Sequence, residues 1–295
     1  MAISNDRDTG SWARAIWQYG EPVHAVIHFA PERRAATDAL GLKGGWMSYF
    51  GCRTAPLGAV TAPVATALLY VFHPQMVARA IPDAWSYASP AALLDARLSA
   101  VDSVMRRVLG DEIVSSASVS RAAELAAAAV AGCDMAGRPM GAANQALPEP
   151  DEPHLRLWEA LTTMREHRGD CHVDRLLDAG VSPAEALVLQ AATGRSPEDG
   201  LRANRGWSDD EWSAAAAALA ARGLVDDDMR ITTAGAELRQ AIEDGTDRLA
   251  APVVTAIGHD GAEELVALLR PLAEAVMAAE AVPAHNNMGV PWPPR

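Results

Sequence analysis

Apolar residues recur three and four positions apart through most of the chain, while two-residue alternation is scarce, so the pattern predicts helices. Trp12, Ile16 and Tyr19 share one face of a first helix that Gly20 would close. Val23, Val26 and Ile27 continue the spacing from a new first turn at Pro22. Pro31 opens the next helix with Glu32 near its positive end, and Gly41, Gly44 and Gly45 then punctuate the chain. Residues 55–74 are apolar on nearly every side, which predicts one buried helix despite Pro56, Gly58 and Pro63. Amphipathic helices are expected near 90–109 and 117–132, followed by a turn-rich segment at 137–144.

The run Pro148-Glu149-Pro150-Asp151-Glu152-Pro153 is the best linker in the chain. It predicts a helical domain at 1–147, a linker at 148–153, a second domain at 154–282 and an extended tail at 283–295. The second domain should begin with a helix from about His154 to His167, a tight turn at Arg168-Gly169-Asp170, and a short helix ending at Ala179-Gly180. Ser182-Pro183-Ala184-Glu185 and Ser208-Asp209-Asp210-Glu211 both have the form of a capping box. Arg222-Gly223-Leu224-Val225 would end an alanine-rich helix and lead into a short strand. Residues 226–229 form the expected hairpin tip, Arg230-Ile231-Thr232 the returning strand, and Thr233-Ala234-Gly235 the start of a helix towards Leu249.

This order, over roughly 205–250, resembles the recognition helix and wing of MarR-type regulators. Tyr49-Phe50-Gly51-Cys52-Arg53-Thr54-Ala55-Pro56-Leu57-Gly58, Gly137-Arg138-Pro139, Ala142-Ala143-Asn144 and Arg165-Glu166-His167-Arg168-Gly169-Asp170 also resemble an actinobacterial family that joins an N-terminal helical domain to a winged-helix domain. The resemblance implies a mainly α fold, with a MarR-like winged-helix domain carrying a small β-hairpin wing. Such regulators pair through terminal helices, so a homodimer is expected by analogy.

Composition changes the expectation for DNA. The net charge is −13, and Lys43 is the single lysine. Between Ser208 and Val225 the only cation is Arg222, and the wing tip is Asp226-Asp227-Asp228. A groove-reading helix needs arginine, lysine, asparagine or glutamine, flanked by cations for phosphate. Only Arg195, Arg202 and Arg205 compensate, so DNA is not the expected partner. Cys52, Cys133 and Cys171 are too few and too scattered for a disulfide framework or a zinc knuckle. Residues 1–10 lack the apolar core of a signal peptide, and no run reaches about 18 apolar residues, so a cytoplasmic protein is expected.

Candidate chemistry falls in three places. His24 and His28 are one helical turn apart, although their apolar neighbours favour a structural role. Arg165-Glu166-His167-Arg168-Gly169-Asp170-Cys171-His172 is the densest polar cluster. His167, His172 and Asp170 are its acid–base candidates, and Arg165 is a carboxylate- or phosphate-holding one. Capping of two helix ends explains the same cluster equally well. Tyr49 and Arg53, beside Trp46 and Phe50, suit a flat anionic or carbonyl-bearing ligand, to which Arg138 and Asn144 could add contacts.

Phosphate-binding glycine loops, GxSxG elbows, CxxC pairs and HExxH are absent. The leading expectation is a small-molecule-binding protein, enzymatic or not, with a polar pocket between its domains and no DNA binding. A ligand-responsive MarR-like regulator is one alternative. A metal- or haem-dependent enzyme built on the histidines is another, with no cofactor indicated and no ligand set matching a metal template.

Overall fold

The computed structural model describes residues 3–194, 196–283, 286, 288 and 292–294, without the side chains of 3–8. The first half consists of α1 (Ile3–Phe29), α2 (Pro31–Ala39), α3 (Gly44–Thr54), a 3₁₀ turn at Ala55–Leu57, α4 (Ala62–Leu68), α5 (Pro74–Ala78), α6 (Ala84–Tyr87), α7 (Pro90–Leu109), α8 (Asp111–Val114), α9 (Ala117–Ala131) and α10 (Pro139–Gln145). It continues through α11 (Pro153–Asp178), α12 (Pro183–Ala192), α13 (Glu198–Arg205), α14 (Asp209–Ala221), α15 (Thr233–Ala250) and α16 (Pro252–Ala278).

Local signals place most helix starts. Ser182 and Ser208 each accept the N–H of the glutamate three residues on, and that glutamate returns the bond, so both capping boxes form. Thr232 accepts from the Gly235 N–H and starts α15.

Long-range packing corrects four expectations. Gly20 does not close α1, which runs through Pro22. Gly20 is instead where α1 crosses α11, since a Cβ there would lie 3.0 Å from Leu161 Cδ2. Arg168-Gly169-Asp170 is no turn but the middle of the 26-residue α11, whose charged side chains are satisfied by neighbouring helices. Residues 55–74 are not one helix. Gly58, at φ +82°, and the prolines divide them into the 3₁₀ turn and α4. Residues 137–144 are mostly the helix α10.

Among the described residues no strand forms, so the expected β-hairpin wing reduces to one antiparallel bridge between Val225 and Ile231. Asp226 N–H donates to the Arg230 carbonyl, and Thr232 N–H donates to that of Leu224. The ladder stops there because the chain enters it directly from the end of α14 and leaves it into the cap of α15.

Among the described residues, three apolar clusters hold the fold. The first joins α1, α7, α9, α11, α15 and α16 around Trp158, Leu157, Val104, Leu265 and Leu269, drawing residues from both sides of 148–153. The second lies under α3 to α7, around Phe50, Leu69, Ile81 and Leu93. The third, around Leu187, Leu201, Trp212, Leu219 and Ile242, packs α12, α13 and α14 with α15. Each large side chain buried fully contributes about 1.5–3 kcal/mol. α11 ties two clusters together, giving Trp158 and Leu161 to the first and Leu176 to the third.

Among the described residues no helix is long and apolar enough to cross a membrane. The three cysteines are free and buried. In the tail, Trp292 meets Tyr19 edge-on at 6.4 Å, and the Asn286 carbonyl accepts from Ser196. Met1, Arg195, His285, Asn287, Val290, Pro291 and Arg295, which the leader, DNA and tail readings include, lie outside the described residues.

Candidate functional site

A cavity of about 1090 Å³ lies where α1, α3, the 69–73 loop, α11, α12, α13 and α15 meet. Among the described residues seven arginines line it: Arg14, Arg33, Arg53, Arg165, Arg168, Arg205 and Arg239. Four carboxylates line it too: Glu21, Glu166, Asp170 and Glu243. Seven less four leaves three positive charges, or two when Asp247, paired to Arg14 and Arg168, is counted. That excess sits inside a chain whose net charge is −13.

One wall is aromatic. Trp46, Tyr49 and Phe72 lie with ring centroids 5.6–5.9 Å apart, and His28 stands 5.2 Å from Tyr49. Arg205 stacks over Phe72 at 4.6 Å, and Arg53 over the Tyr49 ring at 5.9 Å. Trp17, under the Arg168 guanidinium at 4.7 Å, faces the cavity from α1.

The polar centre is the Arg53–Glu166 pair. Arg53 donates from Nε and Nη2 to the two Glu166 oxygens at 2.9 and 3.0 Å, and from Nη1 to the Tyr49 hydroxyl at 3.0 Å. Arg165 Nη1 adds a third donor to Glu166 at 2.9 Å. Burial by itself would raise the Glu166 pKa, but Arg165 and Arg53 reverse this and hold it well below the usual carboxylate range. Burial likewise opposes ionisation of Tyr49, yet Arg53, Arg165 and Arg205 bring the phenol below its ordinary value. Glu21 has the opposite fate. It is 3 % exposed, its Oε1 stands 3.7 Å from Arg165 Nε, and burial raises its pKa.

Two histidines on the cavity are neutral. Burial, with His24 and Arg33 nearby, holds His28 well below its ordinary value. Burial also lowers His172, against an opposing pull from Glu243. Thr246 gives its hydroxyl proton to the Ile242 carbonyl, so it accepts from His172 Nδ1–H at 3.1 Å. That leaves His172 Nε2 with a lone pair, able to accept a hydrogen bond or a proton.

Of the residues singled out by sequence, Tyr49, Arg53, Arg165, Asp170 and His172 line the cavity. His24, His167, Arg138 and Asn144 do not. His24 is buried behind it, stacked on Trp158 at 5.7 Å and donating to Thr162 at 3.0 Å, and burial pushes its pKa down to about 3. His167 packs against α10, where a Cβ on Gly141 would meet its Cα at 3.0 Å. Arg138 pairs with Asp174, while Asn144 donates to the Met140 carbonyl in its own helix. Asp170 caps α10 by accepting from the N–H groups of Met140 and Gly141, both at 3.0 Å. Among the described residues, no group of three or more His, Cys, Asp or Glu side chains could hold a metal ion.

Sequence reasoning missed Glu21, Arg14 and Trp17, and named Arg168 and Glu166 only as members of the polar run on α11. A signal was present, since Arg14, Trp17, Glu21 and His28 recur three, four and seven positions apart on α1, a polar stripe on an otherwise buried helix. Arg205, expected with the DNA-facing cations, turns inward to the cavity.

The outer surface of α14 is equally specific. Outward positions of α14 are Asp209, Asp210, Ser213, Ala214, Ala217, Ala218, Ala220 and Ala221. Arg222 donates to the Ala179 and Gly180 carbonyls, Arg202 pairs with Asp199 and Asp209, and Arg230 pairs with Asp228. The turn between α13 and α14 is covered by the first half of the chain. His73 N–H donates to the Arg205 carbonyl at 2.8 Å, Trp207 Nε1 donates to the Val71 carbonyl at 3.0 Å, and His73 Nε2 lies 2.9 Å from Glu211.

A family model described as a helix-turn-helix family matches residues 13–283. No curated protein and no solved structure matches the chain.

Proposed function

The chain belongs to this helix-turn-helix family, and we propose that it uses the fold to hold a small aromatic organic anion in the cavity rather than to read DNA. The observation that carries the reading is the cavity lining, a surplus of arginine beside an aromatic wall within an acidic protein. Guanidinium groups recognise carboxylates, phosphates and sulfonates, and aromatic faces hold planar rings. A cavity of about 1090 Å³ accommodates a ligand of drug size.

The same reading accounts for the α14 surface. In the MarR-like arrangement that the recognition-helix and wing order resembles, this helix would enter the major groove. Here its outer face carries alanine, Ser213, Asp209 and Asp210, with none of the arginine, lysine, asparagine or glutamine that make bidentate contacts to base edges. Among the described residues, Arg202, Arg222 and Arg230 are engaged within the chain, and the turn that would approach phosphate is occupied by residues 71–73.

The test is equilibrium binding of anilinonaphthalene sulfonate, followed by its fluorescence. The proposal expects saturable one-to-one binding, weakened at least tenfold by Arg165→Met, which leaves Glu166 paired to Arg53. Absence of saturable binding, or an unchanged affinity in the variant, contradicts it.

A further inference from the structure

We propose that Glu21 is the proton-linked member of this site, so that an anion bound beside Arg165 is taken up together with one proton held by Glu21. The inference rests on the anion-site reading above and adds its regulation by pH.

Glu21 and Glu166 both stand by Arg165 but are held differently. Glu166 has both oxygens engaged, by Arg53 and Arg165. Glu21 is buried, lines the cavity, and stands 3.7 Å from Arg165 Nε, beyond hydrogen-bond length. Its Oε2 is buried with no hydrogen-bond partner. A buried carboxylate with one oxygen unpartnered and the neutral Trp17 indole as a hydrogen-bond donor is better accommodated as the neutral acid.

The groups around it act in both directions. From α11, Arg165 favours the charged form and Glu166 opposes it; from α3, Arg53 favours it. On α1 itself the Trp17 indole favours the charge, while His24 and His28 are held neutral by burial. Burial is the largest influence and pushes the Glu21 pKa up.

Ionised Glu21 supplies Arg165 with a negative charge where the ligand would supply one, so the two compete. Once protonated, it leaves Arg165 to the ligand, and a bound anion holds the proton in place. Above the pKa of the free site, affinity for a permanently charged anion therefore falls about tenfold per pH unit.

The experiment measures the dissociation constant of anilinonaphthalene sulfonate between about pH 5 and 9, where the sulfonate itself does not titrate. Calorimetry in two buffers of different ionisation heat counts the protons taken up. The unsubstituted protein should lose affinity as pH rises and take up about one proton per ligand bound. Glu21→Gln should lose both the slope and the proton, and should bind at high pH as tightly as the unsubstituted protein does at low pH. Asp170→Asn, which removes the other cavity carboxylate whose pKa burial raises, should keep both. Glu21→Gln retaining the slope, or a proton count of zero in the unsubstituted protein, overturns the inference. The proton count stands even if Glu21→Gln fails to fold. Absence of saturable binding at any pH instead removes the anion-site reading itself.

Discussion

Replacing Arg53 by methionine tests whether the cavity is organised around a buried ion pair. The substitution removes two charge-assisted bonds to Glu166 and one bond to Tyr49, from positions where the Glu166 side chain is only 4 % exposed. Breaking a buried pair from one side costs about 3–5 kcal/mol. Glu166 keeps Arg165, which places the expected loss near the lower end, about 3 kcal/mol. On the scale of domains of 150–250 residues, this is a fall in Tm of roughly 6–12 °C. Glu166→Gln should cost a similar amount by leaving two guanidiniums without a shared counter-charge. The double variant should be less destabilised than the sum of the singles by about 2 kcal/mol, since it leaves only Arg165 without its Glu166 counter-charge.

Thermal and urea unfolding followed by circular dichroism give these numbers. The pH dependence has a defined sign. Glu166 has a depressed folded pKa, so its contribution is complete above the ordinary carboxylate value of 4.5 and is lost only in strongly acidic solution. In Arg53→Met that loss should be smaller and complete at a higher pH. Single variants that cost under about 1 kcal/mol, or an additive double variant, would refute the reasoning.

His24 is neutral in the fold, with a pKa of about 3 against an ordinary 6.5, so its stability contribution is present above pH 6.5 and drains away as pH falls towards 3. His24→Leu should flatten that part of the stability profile in acid melts. Asp170 has the reverse sign. Burial raises its pKa to about 6, so stability falls as pH rises from the ordinary value of 3.8 through 6. Asp170→Asn keeps an acceptor for the α10 N–H groups, and its advantage over the unsubstituted protein should appear above pH 4 and level off above pH 6. In a DNA mobility-shift titration no salt-sensitive binding is expected near 50 mM salt, whereas exchanging Asp226, Asp227 and Asp228 for lysine should create weak, sequence-independent binding.

Much of the fold was legible because helix caps are local. Ser182 with Glu185, Ser208 with Glu211, and Thr232 before Gly235 each carry a complete hydrogen-bonding instruction within four residues. The errors fell where a helix is buried on several sides. Gly20 reads as a stop in sequence but is a contact with Leu161, and Arg168-Gly169-Asp170 reads as a turn because its partners, Glu243, Asp247 and the α10 N–H groups, lie far along the chain.

The candidate site shows the same division. Tyr49 and Arg53, one turn apart, could be read together, and so could the polar run on α11. The helix alone could not say which side of that run faces α10 and which faces the cavity. Nor could it bring Glu21 beside Arg165, 144 residues away, because that contact comes from the crossing of α1 and α11 rather than from any spacing.

The most direct test of the anion site is a crystal structure of the protein with anilinonaphthalene sulfonate bound. The account predicts the sulfonate within hydrogen-bond reach of Arg165 or Arg205, with the ring system against Trp46, Tyr49 and Phe72. Density for the probe only on the outer surface, with the cavity unchanged, would contradict it.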